Sequence, residues 1–348
     1  MLQKVPSTVQ FPYPEAPAPG TALPIADGVL WIRMPLPMAL DHVNVFAFDA
    51  GDSWHLVDAG MGGPTALPLW EALLQGPLGG KPVSKLLLTH HHMDHIGMAG
   101  WLHAKGAQIL TSRVAWLSAR VLNLDVQEEV TPEQLAFWRA AGMPAEIYDR
   151  RSKERPFNAA DTVGKLPIGF TRLHEGQFLD FGNRQWRVRL GDGHAPEHVT
   201  LWQEGGSLVV GGDQLLPSIS PNLGVYPSEP EADPVGDWIA SCQRFRPHAR
   251  EDHLVLPGHK LPFTGLPHRL DLMMENHHHA LKRLLDHLAT PKTACECFVP
   301  LFHREITGGA HGLALVEAVG HLNHLWRQGL VSRTTTAEGV WLWQRIQD

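Results

Sequence analysis

Short apolar runs separated by turn-forming residues open the patterned part of the chain. Val29–Met34, Val43–Asp49 and Trp54–Asp58 are rich in β-branched and aromatic residues, with Gly51-Asp52 between the last two, and predict successive strands of a meander. The spacing becomes helical over Thr65–Gln75 and returns to a buried-strand run at Lys85–Leu88. A helix is predicted from Ile96 through Lys105. Strand patterns recur at Arg184–Leu190, Val199–Trp202, Ser207–Val210 and Leu254–Leu256. The alternation of strands and helices, repeated in two halves, predicts an α/β fold.

The flanks read differently. Pro6, Pro12, Pro14, Pro17, Pro19 and Pro24 make residues 1–24 an extended arm that cannot be helical and lies over the surface. Arg113–Leu122 and Pro132–Ala141 predict helices, the second with Thr131 as N-cap, Pro132 in the first turn and Gly142 as stop. They mark a helical insertion over about residues 111–175, either a wall beside a site or surface decoration. Beyond Pro267, helices over His268–Leu288 and His311–Gln328 precede a hairpin of Val331–Thr335 and Val340–Arg345. Helices followed by a hairpin resemble a winged helix, with a simple helical cap as the alternative. The predicted parts are an arm (1–24), a main domain (25–266) and a C-terminal winged-helix-like domain (267–348).

Composition narrows the functions. An apolar fraction of 43% and 12 tryptophans supply a large core. The net charge of -7, and eight basic against eight acidic residues over 268–348, argue against a nucleic-acid partner. Three cysteines, two in a C-x-C pair, make neither a disulfide framework nor a redox motif. No apolar run is long enough for a membrane span and no signal pattern opens the chain, so a cytoplasmic protein with no membrane partner is expected.

The candidate chemistry sits in Thr89-His90-His91-His92-Met93-Asp94-His95, directly after a strand. His90 and His92 share a side of an extended backbone, while Asp94 and His95 start the helix, so one loop can serve two coordination spheres. Imidazole and carboxylate suit zinc and its first-row neighbours. Downstream, His194, Asp213 and His259 each follow a buried-strand pattern and a glycine, where a loop on a rigid scaffold carries function.

These residues, with Asp58 in Leu56-Val57-Asp58-Ala59-Gly60, resemble the ordered motifs of the metallo-β-lactamase superfamily over residues 25 to 266. The resemblance implies an αββα sandwich and two divalent ions, zinc first, with iron or manganese as alternatives. It implies that His90, His92 and His194 bind one ion, that Asp94, His95 and His259 bind the other, and that Asp213 bridges them. Asp58 would orient these loops by hydrogen bonds. The catalytic set is then Asp94 and Asp213, supported by Asp58.

Paired ions do hydrolytic chemistry. The superfamily hosts thioesterases of the hydroxyacylglutathione hydrolase kind, lactonases, β-lactamases, nucleases, phosphodiesterases and oxygen reductases, so the fold does not name the substrate. The bridging Asp213 resembles the thioesterase, lactonase and nuclease branches more than the β-lactamases. The expectation is metal-bound hydroxide cleaving a small thioester or ester, acyl-CoA-like or acylglutathione-like. A lactonase, a ribonuclease or phosphodiesterase, and a non-enzymatic effector-binding module are the alternatives. Ser220, Asn222 and Tyr226, and the basic pair Arg150 and Arg151, are candidate substrate contacts. The C-terminal module would cover the site or pair subunits in a homodimer. His91 is expected to face outward, and His198, His277–His279, His321 and His324 to be structural.

Overall fold

A computed structural model describes residues 8–347 of the chain. Within those residues, β1 (Ala22–Ala26), β2 (Val29–Pro35), β3 (His42–Asp49), β4 (Trp54–Val57), β5 (Val83–Leu87), β6 (Gln108–Thr111) and β7 (Thr171–Arg172) form a seven-stranded sheet in that order. The first four strands pair antiparallel and the rest parallel. A five-stranded sheet holds β8 (Phe178–Phe181), β9 (Arg184–Gly191), β10 (His198–Gln203), β11 (Leu208–Gly212) and β12 (Leu254–Pro257), with β11 and β12 parallel.

Side-chain alternation along the strands builds two cores. Ile32, Val43, Val45 and Leu86 of the first sheet pack with Trp70 and Leu73 of α1 (Ala66–Gln75), Leu102 of α3 (Ala99–Ala104) and Trp116 of α4 (Arg113–Leu124). Their neighbours Trp31, Phe46, Phe48 and Leu87 turn the other way and pack with Trp186, Val188, Leu201 and Val210 of the second sheet. Two facing sheets with helices outside are the predicted α/β sandwich.

The predicted helix over 96–105 is interrupted. A short α2 (Met93–Ile96) carries Asp94 and His95, and α3 begins only at Ala99. The break falls at Met98, which leaves the helical region at φ -95 and ψ 6 and donates its amide to the Gly60 carbonyl at 3.2 Å; Gly97, itself helical, is bare where a Cβ would lie 2.1 Å from the Gly62 amide nitrogen. The arm is also corrected. Residues 1–7 lie outside the described residues, Tyr13 packs edge-on against Trp31, and Ala22–Ala26 is not arm but edge strand, where Pro24 is tolerated.

The chain divides into two compact units. The stretch up to Val126, Phe157–Pro221 and Phe245–Leu270 make the first, and Gln127–Pro156, Asn222–Arg244 and the stretch from Asp271 onward make the second. The second contains α5 (Pro132–Ala140), α6 (Ala145–Arg151), most of α7 (Pro234–Phe245) and of α8 (Leu266–His287), then α9 (Phe298–Phe302), α10 (His311–Arg327) and the hairpin β13 (Val331–Thr335) and β14 (Trp341–Arg345). Thr131 caps α5 by accepting from the Gln134 amide, as its sequence predicts. Phe137 of α5 packs edge-on against Trp341 of the hairpin. Of the three consecutive histidines in α8, His277 is buried between Trp238 and His321, while His278 and His279 face solvent. No helix among the described residues is long and apolar enough to cross a membrane.

Candidate metal centre

Five strand ends deliver the candidate residues. β4 and β5 run parallel, so Asp58 and the loop starting at Thr89 leave the first sheet at the same end. β11 and β12 are parallel as well, which brings Asp213 and His259 together, and the Gly258 amide donates to the Gly212 carbonyl at 2.8 Å. His194 comes from the turn between β9 and β10, where the Glu197 amide donates to Asp192 Oδ1 at 2.9 Å.

Hydrogen bonds fix which ring nitrogen faces the centre. Asp58, at φ 62, accepts from the Thr89 amide (2.8 Å), the Thr89 hydroxyl and His95 Nδ1 (2.8 Å). His95 Nε2 then points to Asp94 Oδ2 at 3.6 Å and Asp213 Oδ1 at 3.4 Å. His259 Nδ1 donates to the His42 carbonyl at 2.7 Å, leaving Nε2 at 3.2 Å from both Asp94 Oδ2 and Asp213 Oδ2. His90 Nε2 lies 2.9 Å from His92 Nδ1, and His194 Nε2 lies 3.4 Å from Asp213 Oδ2.

Among the described residues, three groups have candidate ligand atoms within 4.8 Å of one another: His90, His92 and His194; Asp94, His95 and His259; and His90, His95 and Asp213. The third overlaps the other two, so Asp213 stands between an all-imidazole group and a mixed one. Burial, reinforced by neighbouring imidazoles, holds His90 and His92 well below the usual histidine range, leaving neutral rings with lone pairs to give. Burial also opposes charge on His95 and His259, but Asp94 and Asp213 outweigh it for His95, and Asp213 raises His259 to about 10.

The residues fit divalent metal ions. His95 Nε2 and Asp213 Oδ1 are buried without a hydrogen-bond partner, a costly arrangement that a cation relieves. A Cβ on Gly258 would lie 2.1 Å from Asp213 Oδ1 and 2.9 Å from His95 Cε1, so the backbone itself forms the wall behind these donors. Buried carboxylates among imidazoles form a nitrogen and oxygen set for zinc-like ions.

His91 departs from its expected outward position. It is half-buried, and burial pushes its pKa down to about 4. The substrate candidates have other engagements. Ser220 is exposed on a loop whose Leu216 and Ile219 carbonyls accept from Arg269. Arg150 pairs with Glu154 at 3.7 Å, and the Arg151 guanidinium lies over the Trp138 ring. Asn222 Nδ2 donates to Glu317 Oε2 at 2.8 Å, and the Tyr226 side chain is about half exposed. None of these contacts involves a residue of the three groups.

Burial raises Glu317 from 4.5 to about 7, so between these values the folded chain keeps a proton that the unfolded chain releases. Stability therefore falls as pH rises through this window, by on the order of 2–3 kcal/mol. Glu317→Gln should abolish that slope. Urea titrations at pH 5 and pH 8 check it, and parallel losses in both proteins would refute it.

Sequence reasoning missed the supports. Asn44 donates to the Pro257 and Lys260 carbonyls and pins the His259 loop; its signal was a lone amide within the apolar run Val43–Phe48. Thr89 ties the metal loop to Asp58, and the Asp213 amide donates to His198 Nε2.

Comparison with known proteins agrees. Residues 38–259 match the Metallo-beta-lactamase superfamily, and residues 281–346 match the family described as Metallo-beta-lactamase-like, C-terminal domain. A beta-lactamase domain protein from Burkholderia ambifaria is 31% identical, with a TM-score of 0.88 over 97% of this chain and 98% of that one. The metallo-beta-lactamase family protein TTHA1429 from Thermus thermophilus is 26% identical, with a TM-score of 0.77 over 92% and 99%. Probable metallo-hydrolase YqjP of Bacillus subtilis (strain 168) is 26% identical over 312 residues, 86% of this chain and 92% of that protein. Strand-end histidines and aspartates on two facing sheets, and a family match over most of the chain, have one common account: this chain belongs to the metallo-beta-lactamase superfamily.

Proposed function

We propose that the chain is a hydrolase holding two divalent ions, zinc by preference, that cleaves a small thioester or ester of the acyl-CoA or acylglutathione kind. The observation that carries this reading is the position of Asp213, within 3.4 Å of His95, His194 and His259, where one carboxylate can serve both ligand groups. When bound, such a pair activates water and polarises a carbonyl. His90, His92 and His194 would hold one ion, and Asp94, His95 and His259 the other. Asp58 sets the His95 ring with Nε2 inward, and the His42 carbonyl does the same for His259. No protein nucleophile is required. Cys295 and Cys297 are held as thiols near a pKa of about 12 by burial.

The thioester preference has two supports. A thiolate departs without a general acid, whereas RNA calls for a basic track along its backbone. The net charge of -7 offers no such excess. The zinc-loaded protein should therefore turn over acyl-CoA or acylglutathione faster than a lactone, and far faster than bis-nitrophenyl phosphate or RNA. Efficient RNA cleavage with inert thioesters and lactones would replace this reading with a nuclease.

A further inference from the structure

His198 belongs to neither ligand group, yet its ring is fully buried against both the His90 ring and the Asp213 main chain. It opens β10, opposite Gly191 of β9, and the next amide, Val199, donates to the Thr89 carbonyl at 2.7 Å. The strand thereby fixes the ring beneath the metal loop. Nε2 lies 3.1 Å from the Asp213 amide nitrogen, and the His198 ring stacks on His90 with centroids 4.7 Å apart and planes 24° apart. Because that partner is a backbone N–H, Nε2 must accept, and the ring proton sits on Nδ1. A nitrogen engaged this way is unavailable as a ligand.

The space for this ring is reserved by a glycine. Gly212 has φ 49, and a Cβ there would lie 2.5 Å from His198 Cε1, 2.8 Å from Nε2 and 3.1 Å from the Thr89 Cβ. The residue before Asp213 is thus bare where the imidazole passes.

We propose that His198 is the positioning residue of the centre, holding Asp213 through its main-chain amide and His90 through the ring stack. The inference rests on the reading that Asp213 joins the two ligand groups. A buried amide at a strand end needs an acceptor, and here that acceptor also aims the adjacent carboxylate. One side chain therefore couples a ligand of the first group to the residue shared by both.

The test separates the two contacts. His198→Phe keeps a flat ring over His90 and loses the acceptor, whereas His198→Gln places an acceptor near Nε2 and loses the stack. Zn²⁺ affinity is measured by competition with a chromophoric chelator, and the centre is read independently from the visible absorption of the Co²⁺-loaded protein. Thermal unfolding of the metal-free proteins reports the fold. His198→Phe is expected to lose about 10- to 100-fold in affinity for at least one ion, the range typical of outer partners of ligands, with an altered Co²⁺ spectrum. His198→Gln should recover most of that loss.

Wild-type affinity and spectrum in His198→Phe would overturn the proposal. So would equal damage in Phe and Gln variants whose metal-free stabilities match the wild type. If His198→Phe does not fold, Gly212→Ala, which leaves His198 in place but crowds its ring, decides: reduced affinity supports the coupling and wild-type affinity refutes it. The two-ion reading is judged separately, from the stoichiometry of the wild-type protein. Should that protein hold one ion, the comparison among variants is made on that ion.

Discussion

Asp213→Asn is expected to lower turnover by at least about 1,000-fold, beyond the ~10- to 100-fold typical of residues that merely support ligands. Asparagine nearly matches the shape of the carboxylate but brings one acceptor oxygen and no charge. The wild-type carboxylate faces His95 through Oδ1 and both His194 and His259 through Oδ2. Burial works against its charge, but His259 and His95 overcome that and hold the carboxyl well below the ordinary aspartate range. Neutralising it removes the shared anion from both ligand groups at once. Elemental analysis should show fewer ions per chain in the variant, and far-UV circular dichroism an unchanged fold, since β11 and β12 are joined through backbone pairing and not through this side chain. Full activity with undiminished metal content in Asp213→Asn would remove the bridge from the mechanism.

The legibility of this centre in the sequence followed from locality. His90, His92, Asp94 and His95 lie within six residues, and His194, Asp213 and His259 each follow a strand pattern and a glycine, so pattern made them candidates and the family resemblance grouped them. What escaped depends on approach between distant backbones. The helix expected from Ile96 breaks where the Met98 amide turns to the distant Gly60 carbonyl, a contact no periodicity encodes. Pro24 concealed an edge strand, and β7, two residues long, carries too little pattern to be read. His198 was indistinguishable from any core histidine until its acceptor role and stack were placed. Substrate contacts were the least legible. Ser220, Asn222, Tyr226, Arg150 and Arg151 were chosen by polarity and position, and polarity alone does not say whether a side chain meets a ligand or, as with Asn222 and Glu317, another residue.

Replacing Asp58 should separate the tuning of the centre from the stability of its scaffold. The residue sits at φ 62, a backbone region that asparagine tolerates and that costs alanine about 1–2 kcal/mol. Its carboxylate accepts from the Thr89 amide, the Thr89 hydroxyl and His95 Nδ1, and all of these are buried. In Asp58→Asn the single amide oxygen can keep the Thr89 amide, but the NH₂ group then faces His95 Nδ1. The ring must lose that bond or move its proton to Nε2, the nitrogen facing Asp94 and Asp213. Zinc affinity should therefore fall about 10- to 100-fold while the metal-free protein loses little stability. Asp58→Ala leaves the Thr89 and His95 donors unsatisfied, at about 1–3 kcal/mol each, so it should lower unfolding free energy by several times the loss in the asparagine variant. Chelator competition and urea unfolding of the metal-free proteins measure the two effects independently. Unchanged affinity in Asp58→Asn would mean that the His95 tautomer is set by something other than Asp58. Equal unfolding free energies for the two variants would mean that the Thr89 and His95 donors find new partners when the carboxylate is gone.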